Sequence, residues 1–130
     1  MRNLIKVCLC IFVLNLIACS SSSLTEDIVG TFVGSYDEVD PASTLSAIGV
    51  ELTVAEAGSD EAVLFTMTLG SMNIAFPGIM TNAEEFVIDN ATIDAINLTG
   101  SGKLEGDNIK IDFRTLADDR EYARYSGMKN

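Results

Sequence analysis

The side chains able to do chemistry are few and unevenly placed. Histidine is absent, which removes the commonest general base and the commonest transition-metal ligand together. Cys8, Cys10 and Cys19 are the only thiols, so residues 20–130 have neither a thiol nucleophile nor a disulfide. Carboxylates, hydroxyls, lysines and arginines remain. Ser126-Gly127-Met128-Lys129 has the S-x-x-K spacing of an acyl-transfer serine, but no partner motif accompanies it. Asp118-Asp119 supplies the two carboxyl groups that glycoside hydrolysis needs, yet adjacent acids after a strand ordinarily form a solvated loop. Asp37-Glu38-Val39-Asp40 and Asp89-Asn90 with Asp94 offer hard oxygen ligands for calcium without the loop spacing of an EF-hand. These patterns predict no catalytic residue, no cofactor and no metal site. The one candidate recognition edge is Arg120, Tyr122, Arg124 and Tyr125, since Arg and Tyr are the usual interface anchors. The competing expectation is that these bases balance acids within the fold and that the two tyrosines cover a strand edge.

Placing these groups begins with the first nineteen residues. Arg2 and Lys6 flank a start without acids, and Val7 to Ile17 is apolar apart from Asn15. A charged region followed by an apolar run of this length is a signal-peptide pattern. It is too short to span a bilayer, which takes about 20 apolar residues. Leu16-Ile17-Ala18-Cys19 resembles the lipobox of bacterial lipoproteins. That resemblance implies a diacylglycerol and palmitate modification of Cys19 and peptidase cleavage between Ala18 and Cys19. It divides the chain into a leader over 1–18, a lipidated cysteine with a polar tether over 19–25, and a domain over 26–130. Ser20 after the cysteine is similar to the outer-membrane sorting signal of proteobacterial lipoproteins, which implies a lipid-anchored protein of the outer membrane facing the periplasm.

From Ile28 onward the hydrophobic period is two, the signature of half-buried strands. Ile28, Gly30, Phe32, Gly34 and Tyr36 share one face, then Ile48, Val50, Leu52 and Val54, then Val63, Phe65, Met67 and Leu69. Met72, Ile74 and Phe76 form a short fourth strand that Pro77-Gly78 ends or bends. Phe86 and Ile88 mark a fifth, and Ile96, Leu98, Gly100, Gly102 and Leu104 a sixth. Turn residues at Glu56 to Asp60 and at Glu105 to Asn108 join neighbours as hairpins, the second leading into Ile109, Ile111 and Phe113. Tyr122 to Gly127 is a last strand, and Asp40-Pro41 up to Gly49 allows a turn or two of helix. Seven to eight short strands predict an all-β fold, a small antiparallel barrel with a β-sandwich as the alternative. The glycine pairs at Gly30/Gly34 and Gly100/Gly102 favour closure. Phe32, Phe65, Phe76, Phe86 and Phe113 all fall on inward positions, so the barrel is expected to be filled rather than hollow.

Gly30-Thr31-Phe32-Val33-Gly34 and Gly100-Ser101-Gly102-Lys103-Leu104-Glu105-Gly106-Asp107-Asn108-Ile109-Lys110-Ile111 resemble the small lipocalin-like or calycin-like lipoproteins of Bacteroidetes. Phe32 stands where true lipocalins carry a tryptophan. Charge narrows the partners. Without residues 1–18 the chain has 19 acids against 6 bases, a balance of −13, and residues 20–102 carry 13 acids and no base. Nucleic acid and anionic head groups would be repelled. The expectation is a lipid-anchored module of the cell envelope that binds without catalysis, by its outer surface or loops. The alternatives are a carrier of a small apolar ligand or glycan and an inhibitor of a basic envelope protein.

Overall fold

A computed structural model describes residues 24–39 and 45–130. The lipobox with Ala18 and Cys19, the Ser20 to Ser23 tether and the Asp40-Pro41 cap lie outside the described residues. Eight strands follow in chain order: β1 (Gly30–Glu38), β2 (Ser46–Glu56), β3 (Ala62–Leu69), β4 (Met72–Met80), β5 (Glu85–Ile93), β6 (Ile96–Glu105), β7 (Asn108–Thr115) and β8 (Glu121–Lys129). Each pairs antiparallel with the next, and β8 pairs back onto β1, so the sheet closes into an up-and-down barrel. Every strand thus has a neighbour on both sides, and this decides for the barrel over the sandwich.

Alternation selects the interior. Phe32 and Tyr36 of β1, Leu52 and Val54 of β2, Phe65 and Met67 of β3, and Ile111 and Phe113 of β7 point inward and are buried, while the residues between them face out. Three bulges shift this phase, and each puts extra curvature where a small barrel needs it. In β2, Gly34 faces Val50 but Ser35 faces Ile48, which leaves Gly49, at φ 67°, as the extra residue. Ile48 is thereby turned outward and is 90% exposed, not part of the inner face with Val50. In β5 the extra residue lies between Ile88 and Ala91, so Asp89 and Asn90 both face water. In β8 the shift falls opposite Phe113 and Arg114, so Tyr122, Ala123 and Tyr125 are all buried.

Other expectations are corrected by the ends of the barrel. Pro77-Gly78 neither ends nor shortens β4, which runs to Met80, because Pro77 lies on the outer face where its ring meets no neighbour inside. Met72 and Ile96 sit at strand starts on the rim and are part exposed. Ser46 to Ile48 belong to β2 and are not helical. At the opposite end a turn over 24–28 plugs the barrel. Ile28 and Thr25 are fully buried, Leu24 packs on the core, and the Thr25 hydroxyl donates to Glu56 at 3.1 Å. An apolar side chain here closes the open end of the barrel.

Inside, aromatic rings meet glycines. A Cβ on Gly102 would lie 2.2 Å from the Phe86 ring, and one on Gly78 would lie 2.4 Å from the Phe65 ring. Bare backbone at these points is what lets phenylalanines fit so narrow a barrel. Phe65 stacks on Phe76 at 5.3 Å and tilts against Phe86 at 4.9 Å, while Phe113 meets Phe76 edge-on at 5.6 Å. Each such pair contributes about 0.5–1.5 kcal/mol beyond its burial.

Candidate functional site

The interior is filled. All six phenylalanines and tyrosines among Phe32, Tyr36, Phe65, Phe76, Phe86 and Phe113 are buried, as are Tyr122 and Tyr125, and the buried side-chain polar atoms among the described residues all have a hydrogen-bond partner. Depressions occur on the outside instead. One lies over β5–β7 beside Val87, Ser101, Lys103 and Lys110; another lies between the β5–β6 turn and the β7–β8 loop, lined by Ile96, Leu116 and Arg120.

The tyrosines act as struts rather than as a surface. Tyr125 donates its hydroxyl to the Val50 carbonyl at 2.9 Å, a buried bond from β8 across the barrel to β2. Burial, aided by the Glu51 carboxylate, pushes this phenol up to about 12. At the rim, Tyr36 and Tyr122 both donate to Oε1 of Glu38, at 3.3 and 3.2 Å. Burial, then the charge of Glu38, pushes the Tyr36 phenol well above its ordinary value. A phenol held neutral and bonded to a fixed acceptor is a poor proton donor, so these groups brace the wall and offer no acid catalysis.

The candidate edge is therefore split by the strand. Tyr122 and Tyr125 face in, while Arg120 and Arg124 face out, and the four never form one surface. Arg120 meets Asp118 at 2.6 Å, and Arg124 pairs with Glu121 and reaches Asp112 at 3.7 Å. Arg114 holds Asp119 at 2.9 Å. The Thr115 hydroxyl, then Arg120, holds the Asp118 carboxyl below its usual range. A glycosidase needs one carboxyl raised enough to donate a proton, and Asp118 is moved the other way. Ser126 and Lys129 stand three apart on β8, hence on opposite faces, and the Lys129 ammonium donates to the Asp27 carbonyl at 2.9 Å. Among the described residues, no three of Asp, Glu, His or Cys are grouped to hold a metal ion.

The outer wall divides by charge. On β6 to β8, Lys103 reaches Glu105 at 3.5 Å and the arginines are paired as above. The wall of β1 to β5 has no base at all, since no Lys or Arg lies between Lys6 and Lys103. It also carries apolar side chains at positions that alternation assigns to water. Leu64 is 41%, Ile79 40% and Val87 37% exposed. The sequence holds a signal for them: aliphatic residues occupy both phases of β3, β4 and β5, which a one-sided strand does not require.

The class these features define is a closed, filled, eight-stranded antiparallel barrel with an apolar interior. Comparison with known proteins finds no family model, no curated protein and no solved structure that matches the chain.

Proposed function

We propose that this chain is a lipid-anchored module of the cell envelope that binds a partner by the outside of its barrel and catalyses nothing. The packed interior is the observation that carries it: with the phenylalanine and tyrosine rings filling the space, recognition is left to the wall and loops. A carrier of a small apolar ligand needs a hollow barrel, and eight strands give room for side chains or for one small ligand, not both. The anchor is Cys19, reached from Leu24 by a tether of five residues that spans at most about 18 Å. A diacylglycerol on that thiol with a further acyl chain holds the protein to its membrane, each buried methylene adding about 0.8 kcal/mol. The Ser20 context favours the outer membrane, facing the periplasm.

Two measurements test this. Metabolic labelling with a palmitate analogue is expected to mark the wild type and not Cys19→Ser, which accumulates as an uncleaved precursor; equal label on both would end the anchoring proposal. Fatty acids and apolar dyes are expected to bind the delipidated protein only weakly, and Phe113→Ala should cost about 3–5 kcal/mol of stability instead of an activity. A stoichiometric fatty-acid complex lost in Phe113→Ala with the fold intact would make the interior the site.

A further inference from the structure

The apolar residues on the acidic wall form one patch. Ala55 of β2 faces Leu64 of β3, Leu64 faces Pro77 of β4, and one row nearer the tether Ala62 faces Ile79, which faces Val87 of β5. Directly opposed residues on one face of a sheet lie about 5 Å apart at Cβ, so these side chains are contiguous. Glu61 precedes Ala62, and Glu85 and Asp89 stand on the same outward face two residues either side of Val87. No ion pair engages these three carboxylates among the described residues. The arginines are paired on the other wall, and Lys103, across from Glu85, is drawn to Glu105.

We propose that this wall, centred on Leu64, Ile79 and Val87, docks a cationic, partly apolar face of a protein held at the same membrane. Three observations select that occupant. Apolar contact alone fits a bilayer or a second copy as well, but an anionic bilayer would be repelled by Glu61, Glu85 and Asp89, and so would a second copy carrying the same strongly negative net charge. A basic partner gains from both the patch and its rim. Position then limits where that partner lies. The Leu24 amide donates to the Asp60 carbonyl at 3.1 Å, so the tether leaves the barrel beside the β2–β3 turn that leads into Ala62 and Leu64. A five-residue tether keeps this wall within a few tens of ångströms of the lipid, which excludes partners that never approach the membrane. This deepens the proposed function and rests on its anchoring and outer-surface components.

The test uses the full chain in its own membranes, with a photoreactive side chain in place of Ile79 or, as a control on the opposite wall, of Ser126, which is exposed on β8. Position 79 is expected to cross-link to a protein segment of net positive charge, and position 126 is not. The yield should fall at least about 5-fold between about 0.05 and about 0.5 M salt, as screening shortens the reach of the rim charges. It should fall similarly in the triple variant Glu61→Gln, Glu85→Gln, Asp89→Asn. These side chains are exposed, and an unchanged melting curve confirms that the barrel persists. Cross-linking to lipid, to a second copy, or to a neutral or acidic segment overturns the proposal, as do equal yields from both positions, insensitivity to salt, or no cross-link. Anchoring fails on a different readout, absence of palmitate label on the wild type, so the two failures are told apart.

Discussion

At the scale of single residues, the tyrosines set how the barrel responds to pH. The phenol of Tyr125 is pushed from 10.0 to about 12, chiefly by burial, so the fold favours its neutral form. The sign follows directly: this contribution is complete below about pH 10, where an unfolded tyrosine begins to ionise, and is lost as pH rises through about 12. Tyr36 moves the same way. Titration followed at the tyrosinate absorbance band should therefore show little ionisation until the barrel itself unfolds, and a step near pH 10 with native circular dichroism would contradict it. Tyr125→Phe keeps the ring but strands the Val50 carbonyl, and is expected to cost about 0.5–1.5 kcal/mol in denaturant unfolding. Tyr36→Phe should cost less, because Tyr122 still donates to Glu38.

At the scale of elements, the β4–β5 seam differs from every other. Only Ile79 with Val87 and Met80 with Phe86 are paired there, whereas β6 and β7 pair over eight positions. Pro77 has no amide to donate and the β5 bulge at Asp89-Asn90 breaks the register, so both strands lose the ladder just beyond Ile79. Amides of Asn73 to Phe76 and of Asp89 to Thr92 that point across the seam should exchange with solvent well before those between β7 and β8. Uniform protection around the barrel would refute this. The same features mark the limit of what sequence patterning reveals. Alternation and turn residues located all eight strands, since period two is imposed by the pleat itself. Bulges are set by closure, not by local preference: Gly49 could be seen as a glycine but not as the residue that turns Ile48 outward, and nothing near Tyr122 announces that it joins Tyr125 inside. The candidate edge at Arg120 to Tyr125 failed as a single surface for that reason. Leu64, Ile79 and Val87 became visible as a patch only once the register set them side by side.

At the scale of the whole molecule, charge and closure dominate. A chain of net charge −11, with its acids unrelieved over β1 to β5, repels itself when compact. Salt should therefore stabilise the barrel, by about 1 kcal/mol or about 5 °C in Tm for a domain of this size. A fall in Tm with added salt would mean that the ion pairs of β6 to β8 outweigh this repulsion. The pairing of β1 with β8 has a further consequence, in time rather than in energy. Seven of the eight pairings join strands adjacent in sequence and can form as hairpins while the chain lengthens. The eighth cannot begin until Glu121 to Lys129 exists, and it closes a loop of most of the chain, with Gly34 set so close to Gly127 that a Cβ there would lie 1.8 Å from the Ser126 carbonyl oxygen. Until that last strand arrives, β1 waits with one bare edge. A chain that emerges from its N-terminus thus completes its fold only after its final residues have appeared, and until then the bare edge of β1 is open to wrong partners.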